Sequence, residues 1–186
     1  NHGQASATTD HEWENNPYSR SGGGRLTETV EFFTDAWALQ GQENLRRYLV
    51  ARYADHPAIL GWKLWSEINL TGAGGTSAAW HEQATARWHS LDTYRHGTTT
   101  HWAGDFNAVD PSTAAVRQLD YLCIDAYHDR GRMLADLLAM SSGDRGRGLA
   151  TYKKPIWVTE FGGSPMAGPV PQIAAEHASA AWAALV

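Results

Sequence analysis

Two apolar stretches that each end in a glutamate decide the fold of this chain. Residues 58–67 read AILGWKLWSE, and residues 155–160 read PIWVTE, followed by Phe161 and Gly162. Short apolar runs of this length, bounded by turn-forming residues, indicate buried strands. A carboxylate directly after such a strand is costly to bury unless it has a partner or a task. Glu67 and Glu160 are therefore the first candidates for functional residues.

From residue 28 onward, strands of this kind alternate with helices. The predicted strands cover 58–65, 98–102, 121–127 and 155–159. The predicted helices cover 28–54, 77–95, 113–118, 131–141 and 171–186, with Thr27 as the N-cap of the first. Such alternation predicts a parallel sheet with helical crossovers. The strand ends lie on average about 31 residues apart, which matches one unit of a (β/α)8 barrel of about 250 residues. A doubly wound sheet has a similar repeat, but the glycine-rich nucleotide-binding loop of that fold is absent.

The composition argues against several classes of function. A net charge of −5 without a basic cluster disfavours nucleic acid and anionic membrane surfaces as partners. No apolar run approaches the roughly 20 residues of a membrane-spanning helix. Cys123, in an apolar strand, is expected to be buried. Because it is the only cysteine and the histidines are scattered, we predict no metal and no cofactor. A serine hydrolase is disfavoured because a G-x-S-x-G motif is lacking.

Tryptophan is unusually frequent, with nine residues in the chain. Flat aromatic rings suit the axial C–H groups of sugars, which is a weak indication of the ligand class. Several tryptophans fall on predicted helices and are expected in the core: Trp37, Trp80, Trp88 and Trp182. Along the first helix, Leu45, Leu49 and Tyr53 recur at helical spacing and mark its apolar side.

Polar residues follow every predicted strand, where α/β folds place their active sites. Strands three places apart face each other across the mouth of a barrel, so Glu67 and Glu160 would flank one bound group. Two carboxylates about 5 to 5.5 Å apart cleave a glycoside through a covalent intermediate. The other candidates, from the strand ends and the first loop, are Ser66, Asn69, His101, Trp102, Asp125, Tyr127, His128 and Trp13.

These stretches resemble those of clan A glycoside hydrolases, typified by the family 5 cellulases and mannanases. Residues 59–67 are similar to the fourth strand of that family's barrel, and residues 155–162 are similar to its seventh strand. The resemblance implies that Glu67 is the general acid/base and that Glu160 is the nucleophile.

Two further segments extend the resemblance. Asp125-Ala126-Tyr127 resembles the sixth strand, whose tyrosine hydrogen-bonds the nucleophile. Asn1-His2-Gly3 and the segment from Trp13 to Tyr18 resemble the loop after the third strand. By this alignment, residues 1–186 are one partial TIM-barrel catalytic domain. It would hold strands 4 to 7, with 1–27 as the long loop after strand 3. The full-length protein is then expected to be the working enzyme.

Two positions depart from the family pattern. Ser66 stands where the family has an asparagine that binds the sugar 2-hydroxyl, and Asp125 stands where many relatives have histidine. The leading hypothesis is a retaining β-glycosidase or endoglycanase that acts on a β-linked oligo- or polysaccharide, such as mannan or cellulose. The two departures motivate an alternative, a catalytically silent carbohydrate-binding barrel. A metal-dependent barrel hydrolase is a third candidate.

Each proposed catalytic carboxylate also has a structural alternative. Glu67 would then pair with Lys63 or an arginine, and Glu160 would be an N-cap or loop carboxylate. The sequence decides neither the sugar, nor endo or exo action, nor the oligomeric state. A secreted or periplasmic location is implied by the resemblance alone.

Overall fold

The computed structural model describes residues 13–127, 133–142, 148–162 and 169–183. These residues form two compact units, one with 13–101 and 110–121, the other with 102–109 and the described residues after 121. The helices are α1 (Ala36–Tyr53), α2 (Thr76–Leu91), α3 (Pro111–Ala114), α4 (Met133–Ser142) and α5 (Val170–Ala183). The strands are β1 (Gly61–Lys63), β2 (Gly97–Thr99), β3 (His101–Trp102), β4 (Leu122–Tyr127) and β5 (Ile156–Gly162).

In the first unit, β1 and β2 form a parallel pair connected through α2. The register aligns Gly61 with Gly97 and Lys63 with Thr99. The backbone N–H of Leu64 donates to Thr99 O at 2.8 Å, which continues the pairing beyond β1. Position 61 requires glycine, because a Cβ atom there would lie 2.7 Å from Gly97 O.

Tryptophans pack β1 against α2. Trp62 stacks on Trp88 with ring centroids 4.6 Å apart and an interplanar angle of 23°. The indole N–H of Trp62 donates to the buried carboxylate of Asp92 at 2.7 Å. Burial favours a higher pKa for Asp92, but hydrogen bonds from Trp62 and His96 outweigh it and hold that pKa below its usual value. Trp80 and Trp88 are both buried, which confirms the prediction for these two residues.

Helix α1 begins later than predicted. The predicted helix starts at residue 28 with Thr27 as its N-cap, whereas a short 3₁₀ turn occupies this region and the α-helix follows it. The true N-cap is Asp35, whose carboxylate accepts the backbone N–H groups of Trp37 and Ala38 at 2.9 and 3.0 Å. An N-cap aspartate satisfies N–H groups that the helix itself cannot, so it fixes the first turn.

The predicted apolar side of α1 was wrong at two of its three residues; the third, Leu49, is half-buried and packs against Ala54, Trp62 and Trp88. Leu45 and Tyr53 are 54% and 42% exposed, and Trp37, predicted to be a core residue, is 37% exposed. The buried residues of this helix are instead Ala38, Gln42 and Arg46.

Hydrogen bonds explain why polar side chains of α1 are buried. The amide of Gln42 donates to Phe32 O at 2.7 Å, and its carbonyl oxygen accepts the indole N–H of Trp80 at 2.8 Å. Arg46 forms an ion pair with Glu43 at 2.6 Å. A buried polar group with partners costs little, so hydrophobic spacing alone does not identify the packed side of this helix.

β4 is the central strand of a sheet with the order β3-β4-β5, and the β4–β5 pair lies within the second unit. β4 and β5 are parallel, and Leu122 aligns with Ile156. Every residue from Leu122 to Ala126 is buried, as expected of a central strand. Cys123 is 3% exposed, which confirms that its thiol is buried.

The α/β class with parallel strands is confirmed, but the first two strands are shorter than predicted, whereas β5 runs past the predicted end at 159 and includes Glu160. Only Gly61–Lys63 of the predicted strand 58–65 forms β1, and the predicted strand 98–102 is interrupted at Thr100. In the described part of the chain the two sheets are short and unclosed, so a partial barrel stays a prediction, as does the single catalytic domain. None of the described helices has the length and hydropathy needed to cross a bilayer.

Candidate active site

In the first unit, the parallel pairing of β1 and β2 brings the residues that follow β1 to His101. Ser66 Oγ and the backbone nitrogen of Glu67 each lie 3.3 Å from His101 Nδ1. The His101 side chain is fully buried. His101 and the segment Ser66–Glu67, which are far apart in sequence, therefore lie in contact just after the paired strands.

The direction of these hydrogen bonds follows from the donors. A backbone N–H can only donate, so Nδ1 of His101 is the acceptor for Glu67. The Ser66 hydroxyl reaches the same nitrogen, and the ammonium group of Lys63 donates to Ser66 Oγ at 3.5 Å. Lys63 was predicted as an alternative partner of Glu67. It contacts Ser66, the residue that precedes Glu67.

Glu67 has a left-handed backbone conformation, with φ 57° and ψ 49°. This region is sparsely populated by residues other than glycine, and strain of this kind is concentrated at functional sites. Among the described residues, two more non-glycine residues have positive φ, Arg95 and Lys153. Both of those close turns after helical segments, whereas Glu67 lies shortly after a strand.

A 3₁₀ turn, Ile68–Thr71, continues from Glu67 and is anchored in the core. Thr71 is fully buried and its hydroxyl donates to Ile68 O at 2.7 Å. Thr71 O in turn accepts the hydroxyl of Thr29 at 2.5 Å. Asn69 lies on the exposed side of this turn, so its predicted place in the acid/base loop is compatible with its exposure.

In the second unit, the hydroxyl of Tyr127 donates to Glu160 Oε2 at 2.5 Å. The hydrogen bond implied by the resemblance is therefore present. Tyr127 ends β4, and Glu160 lies near the end of β5 with an exposed side chain. A charge-assisted hydrogen bond of this length holds the carboxylate in one orientation.

A β-bulge determines which residue of β5 lies opposite Asp125. Ile124 aligns with Val158, and the next residue of β4, Asp125, aligns with Glu160, so Thr159 is an additional residue. The Thr159 hydroxyl donates to Ile124 O at 3.3 Å. Residues aligned in neighbouring strands project to the same face, and bulges often redirect a side chain next to an active site.

Asp125 anchors the loop that follows β3. Its Oδ2 atom accepts the backbone N–H of Gly104 at 3.3 Å, and Gly104 O accepts the N–H of Tyr127 at 2.9 Å. Gly104 has a φ of 95°, which favours glycine. Asp125 is fully buried and thus supports the loop beside Tyr127.

Burial bears on the predicted sugar contacts. The side chains of His101, Trp102 and Asp125 have no exposed surface, and the indole N–H of Trp102 has no hydrogen-bond partner among the described residues. A direct sugar contact by these residues gains no support from their burial and stays a prediction. Ser66 and Glu67 are half-buried.

Trp13 lies in the described part of the loop before α1. Its indole N–H donates to Thr27 O at 3.0 Å, and the ring is half-buried. A bridge between Ser19 and Leu26 closes the same loop. Stacking of Trp13 on a sugar remains a prediction, and His128 lies outside the described residues.

Three features of these sites were not recognised in the sequence: the left-handed Glu67, the bond from its N–H to His101, and the bulge at Thr159. A glutamate gives no local signal for a left-handed conformation. The bulge could have been suspected, because strict alternation along 155–162 does not separate the residues into one apolar and one polar face.

Comparison with known proteins gives a likeness in fold. No protein-family model matches this sequence, and no curated protein matches it. A solved structure of Bifidobacterium dentium beta-glucuronidase, complexed with coumarin-3-O-glucuronide, resembles the chain with a TM-score of 0.62 at 16% identity. The likeness covers 82% of this chain and 26% of that chain, so this chain spans about a quarter of that protein's length. It shows a fold like that of a TIM-barrel glycosidase fragment. The narrower resemblance to family 5 cellulases and mannanases gains no support from it.

Proposed function

Starting from a fold like that of a glycosidase fragment, we propose that this chain carries the catalytic carboxylates of a retaining β-glycosidase. The observation on which the proposal mainly rests is the hydrogen bond from Tyr127 to Glu160 at the end of β5. In the proposed reaction, Glu160 attacks the anomeric carbon and forms a covalent glycosyl intermediate. Glu67 protonates the leaving oxygen and then activates the water that releases the sugar.

The surroundings of Glu160 suit a nucleophile. Its carboxylate is exposed at a strand end, so a substrate can reach it. Tyr127 fixes one of its two oxygens, which restricts rotation of the carboxylate. A nucleophile that is already oriented loses less entropy when it attacks, and this contributes to the rate.

The surroundings of Glu67 suit an acid/base residue. Its side chain is half-buried, and its backbone is held in a strained conformation that the adjoining 3₁₀ turn anchors. A general acid must deliver a proton within hydrogen-bond reach of the leaving oxygen, so its backbone must be fixed. Ser66, beside it, would offer one hydroxyl to the sugar where the family has an amide.

The proposed substrate is a β-linked oligo- or polysaccharide. The resemblance in sequence points to glucose or mannose polymers, and the solved structure similar in fold is named as a beta-glucuronidase. Aryl β-glucosides, β-mannosides and β-glucuronides therefore form the panel for a first assay.

The test compares Glu160→Gln and Glu67→Gln with the wild-type protein on this panel. Glu160→Gln should abolish hydrolysis of every active glycoside. Glu67→Gln should lower kcat/KM by about 10²- to 10⁴-fold on phenyl glycosides, whose leaving group needs protonation. Its effect on kcat/KM should be much smaller on dinitrophenyl glycosides, although kcat should still fall there, because release of the sugar also needs Glu67. A 2-fluoro glycoside that inactivates the protein should label the peptide that contains Glu160, as detected by mass spectrometry.

The matched control is Glu82→Gln, which alters an exposed glutamate of α2 and should leave the rates unchanged. Wild-type rates in Glu160→Gln would overturn the assignment of the nucleophile. If no glycoside is hydrolysed while calorimetry still detects binding of an oligosaccharide, the silent carbohydrate-binding barrel is the better description.

A further inference from the structure

We infer that His101 is a positioning residue, whose Nδ1 atom accepts the N–H of Glu67 and thereby holds the left-handed backbone of that residue. This inference concerns the same site and rests on the proposed function for its consequence in catalysis. The hydrogen bond itself can be tested without any assay of activity.

The first step of the argument is the geometry. Glu67 N and Ser66 Oγ both lie 3.3 Å from His101 Nδ1, and the imidazole is fully buried. A buried ring has few orientations open to it, because packing in protein interiors is dense. His101 therefore presents its nitrogen to the turn from a fixed position.

The second step is the protonation of the ring. Glu67 N–H is a donor, so Nδ1 must carry a lone pair rather than a proton. The proton of the neutral ring then resides on Nε2. Protonation of Nδ1 would place two N–H groups against each other, and the bond to Glu67 would be lost.

The third step is the conformation of Glu67. A left-handed non-glycine residue persists only where its surroundings stabilise it. The backbone N–H of Glu67 is one of the groups that its φ angle orients. A hydrogen bond from this N–H to a buried ring thus opposes relaxation of the turn. The direction of the Glu67 side chain depends on the same φ angle.

The experiment uses two substitutions that retain different nitrogen positions of the ring. The side-chain oxygen of asparagine can occupy the place of Nδ1, whereas glutamine places its amide near the position of Nε2. Exchange of the Glu67 amide hydrogen is measured by NMR in His101→Asn and His101→Gln. The amide of Leu64, bonded to Thr99 O, is the internal reference for the strand pair.

In His101→Gln, the Glu67 amide should exchange about tenfold faster relative to Leu64, as expected when one hydrogen bond is lost. In His101→Asn, the ratio should stay within about twofold of the wild type. His81→Asn, which alters another buried histidine of the same unit, should not change the ratio. An unchanged ratio in His101→Gln, or equal acceleration in His101→Asn, would overturn the inference.

A second measurement requires no substitution, so it also decides the case if a variant fails to fold. The ¹⁵N shifts of the His101 ring in the wild-type protein should identify Nδ1 as unprotonated and Nε2 as protonated. A proton on Nδ1 would refute the inference.

Activity separates this inference from the proposed function. His101→Gln should lower kcat/KM more on phenyl than on dinitrophenyl glycosides, and His101→Asn should retain most of the wild-type rate. If the Glu67 amide loses protection in His101→Gln but the wild-type protein hydrolyses no glycoside, the proposed function is refuted and the positioning role of His101 is not. If the Glu67 amide stays protected in His101→Gln, the positioning role of His101 is refuted, even if Glu160→Gln abolishes hydrolysis.

Discussion

At the scale of single residues, the hydroxyl of Tyr127 orients the carboxylate of Glu160 for the proposed reaction. A carboxylate can rotate about the bond to its side chain, and attack on a sugar requires one oxygen in line with the anomeric carbon. Tyr127 holds Glu160 Oε2 at 2.5 Å and so selects among these rotations. The tyrosine is half-buried at the end of β4, which restricts its own movement.

Tyr127→Phe removes this hydrogen bond and retains the ring. We expect kcat/KM on the best aryl glycoside to fall about 10- to 100-fold, which corresponds to the loss of a hydrogen bond to a charged group. Steady-state kinetics measures the effect. Tyr94→Phe, at a residue that is 62% exposed, is the control and should behave as the wild type. An unchanged rate in Tyr127→Phe would separate the tyrosine from catalysis.

At the scale of secondary structure, the sequence predicted the packed side of α2 correctly but not that of α1. On α2, Trp80 and Trp88 were correctly predicted to be buried. On α1 the prediction failed at Leu45 and Tyr53. Gln42 is buried there with partners, Phe32 O and Trp80, that only the folded chain supplies. A pattern of hydrophobicity carries no information about such partners.

The start of α1 gives a prediction for stability. Asp35→Ala removes the carboxylate that accepts two backbone N–H groups. We expect it to lower the free energy of unfolding by about 1 kcal/mol, as measured by urea titration. Asp55→Ala, at an exposed position after α1, is the control and should change stability by less than about 0.5 kcal/mol. Equal effects of the two substitutions would contradict the role of Asp35 as the N-cap.

At the scale of the whole molecule, the alternation of strands and helices was enough to predict the α/β class. Each crossover joins neighbouring segments, so its signal is contained in a short stretch of sequence. Closure of a barrel is different, since it depends on pairing between strands that are distant in the chain. The two carboxylates, Glu67 and Glu160, could be found from their positions after predicted strands. The left-handed turn at Glu67 could not, and the bulge at Thr159 was indicated only indirectly by the sequence.

Unfolding of the whole chain should depend on pH through His81. This side chain is fully buried, and burial lowers its pKa from 6.5 to about 4, although a hydrogen bond to Ser77 O and the charge of Asp110 oppose the shift. Between pH 6.5 and 4 the unfolded chain binds a proton that the folded chain does not. The free energy of unfolding should therefore fall by roughly 3 kcal/mol over this range, and the full contribution is present above pH 6.5.

Urea titrations at pH 7, 5.5 and 4 measure this dependence. In His81→Asn the slope between pH 6.5 and 4 should become much smaller, because the asparagine does not titrate. His56→Asn, at an exposed histidine, is the control and should keep the wild-type slope. A slope that persists unchanged in His81→Asn would show that other groups cause it.

The additional residue at Thr159 has a consequence for the gene. Without Thr159, a regular pleat would still place the glutamate opposite Asp125, since the bulge is what now brings the two into line. Deletion of the Thr159 codon would therefore convert the bulge into a regular strand. Insertion of a further codon would instead require a larger bulge in β5. In a homologue that lacks one residue just before the position of Glu160, the glutamate would still lie opposite the position of Asp125.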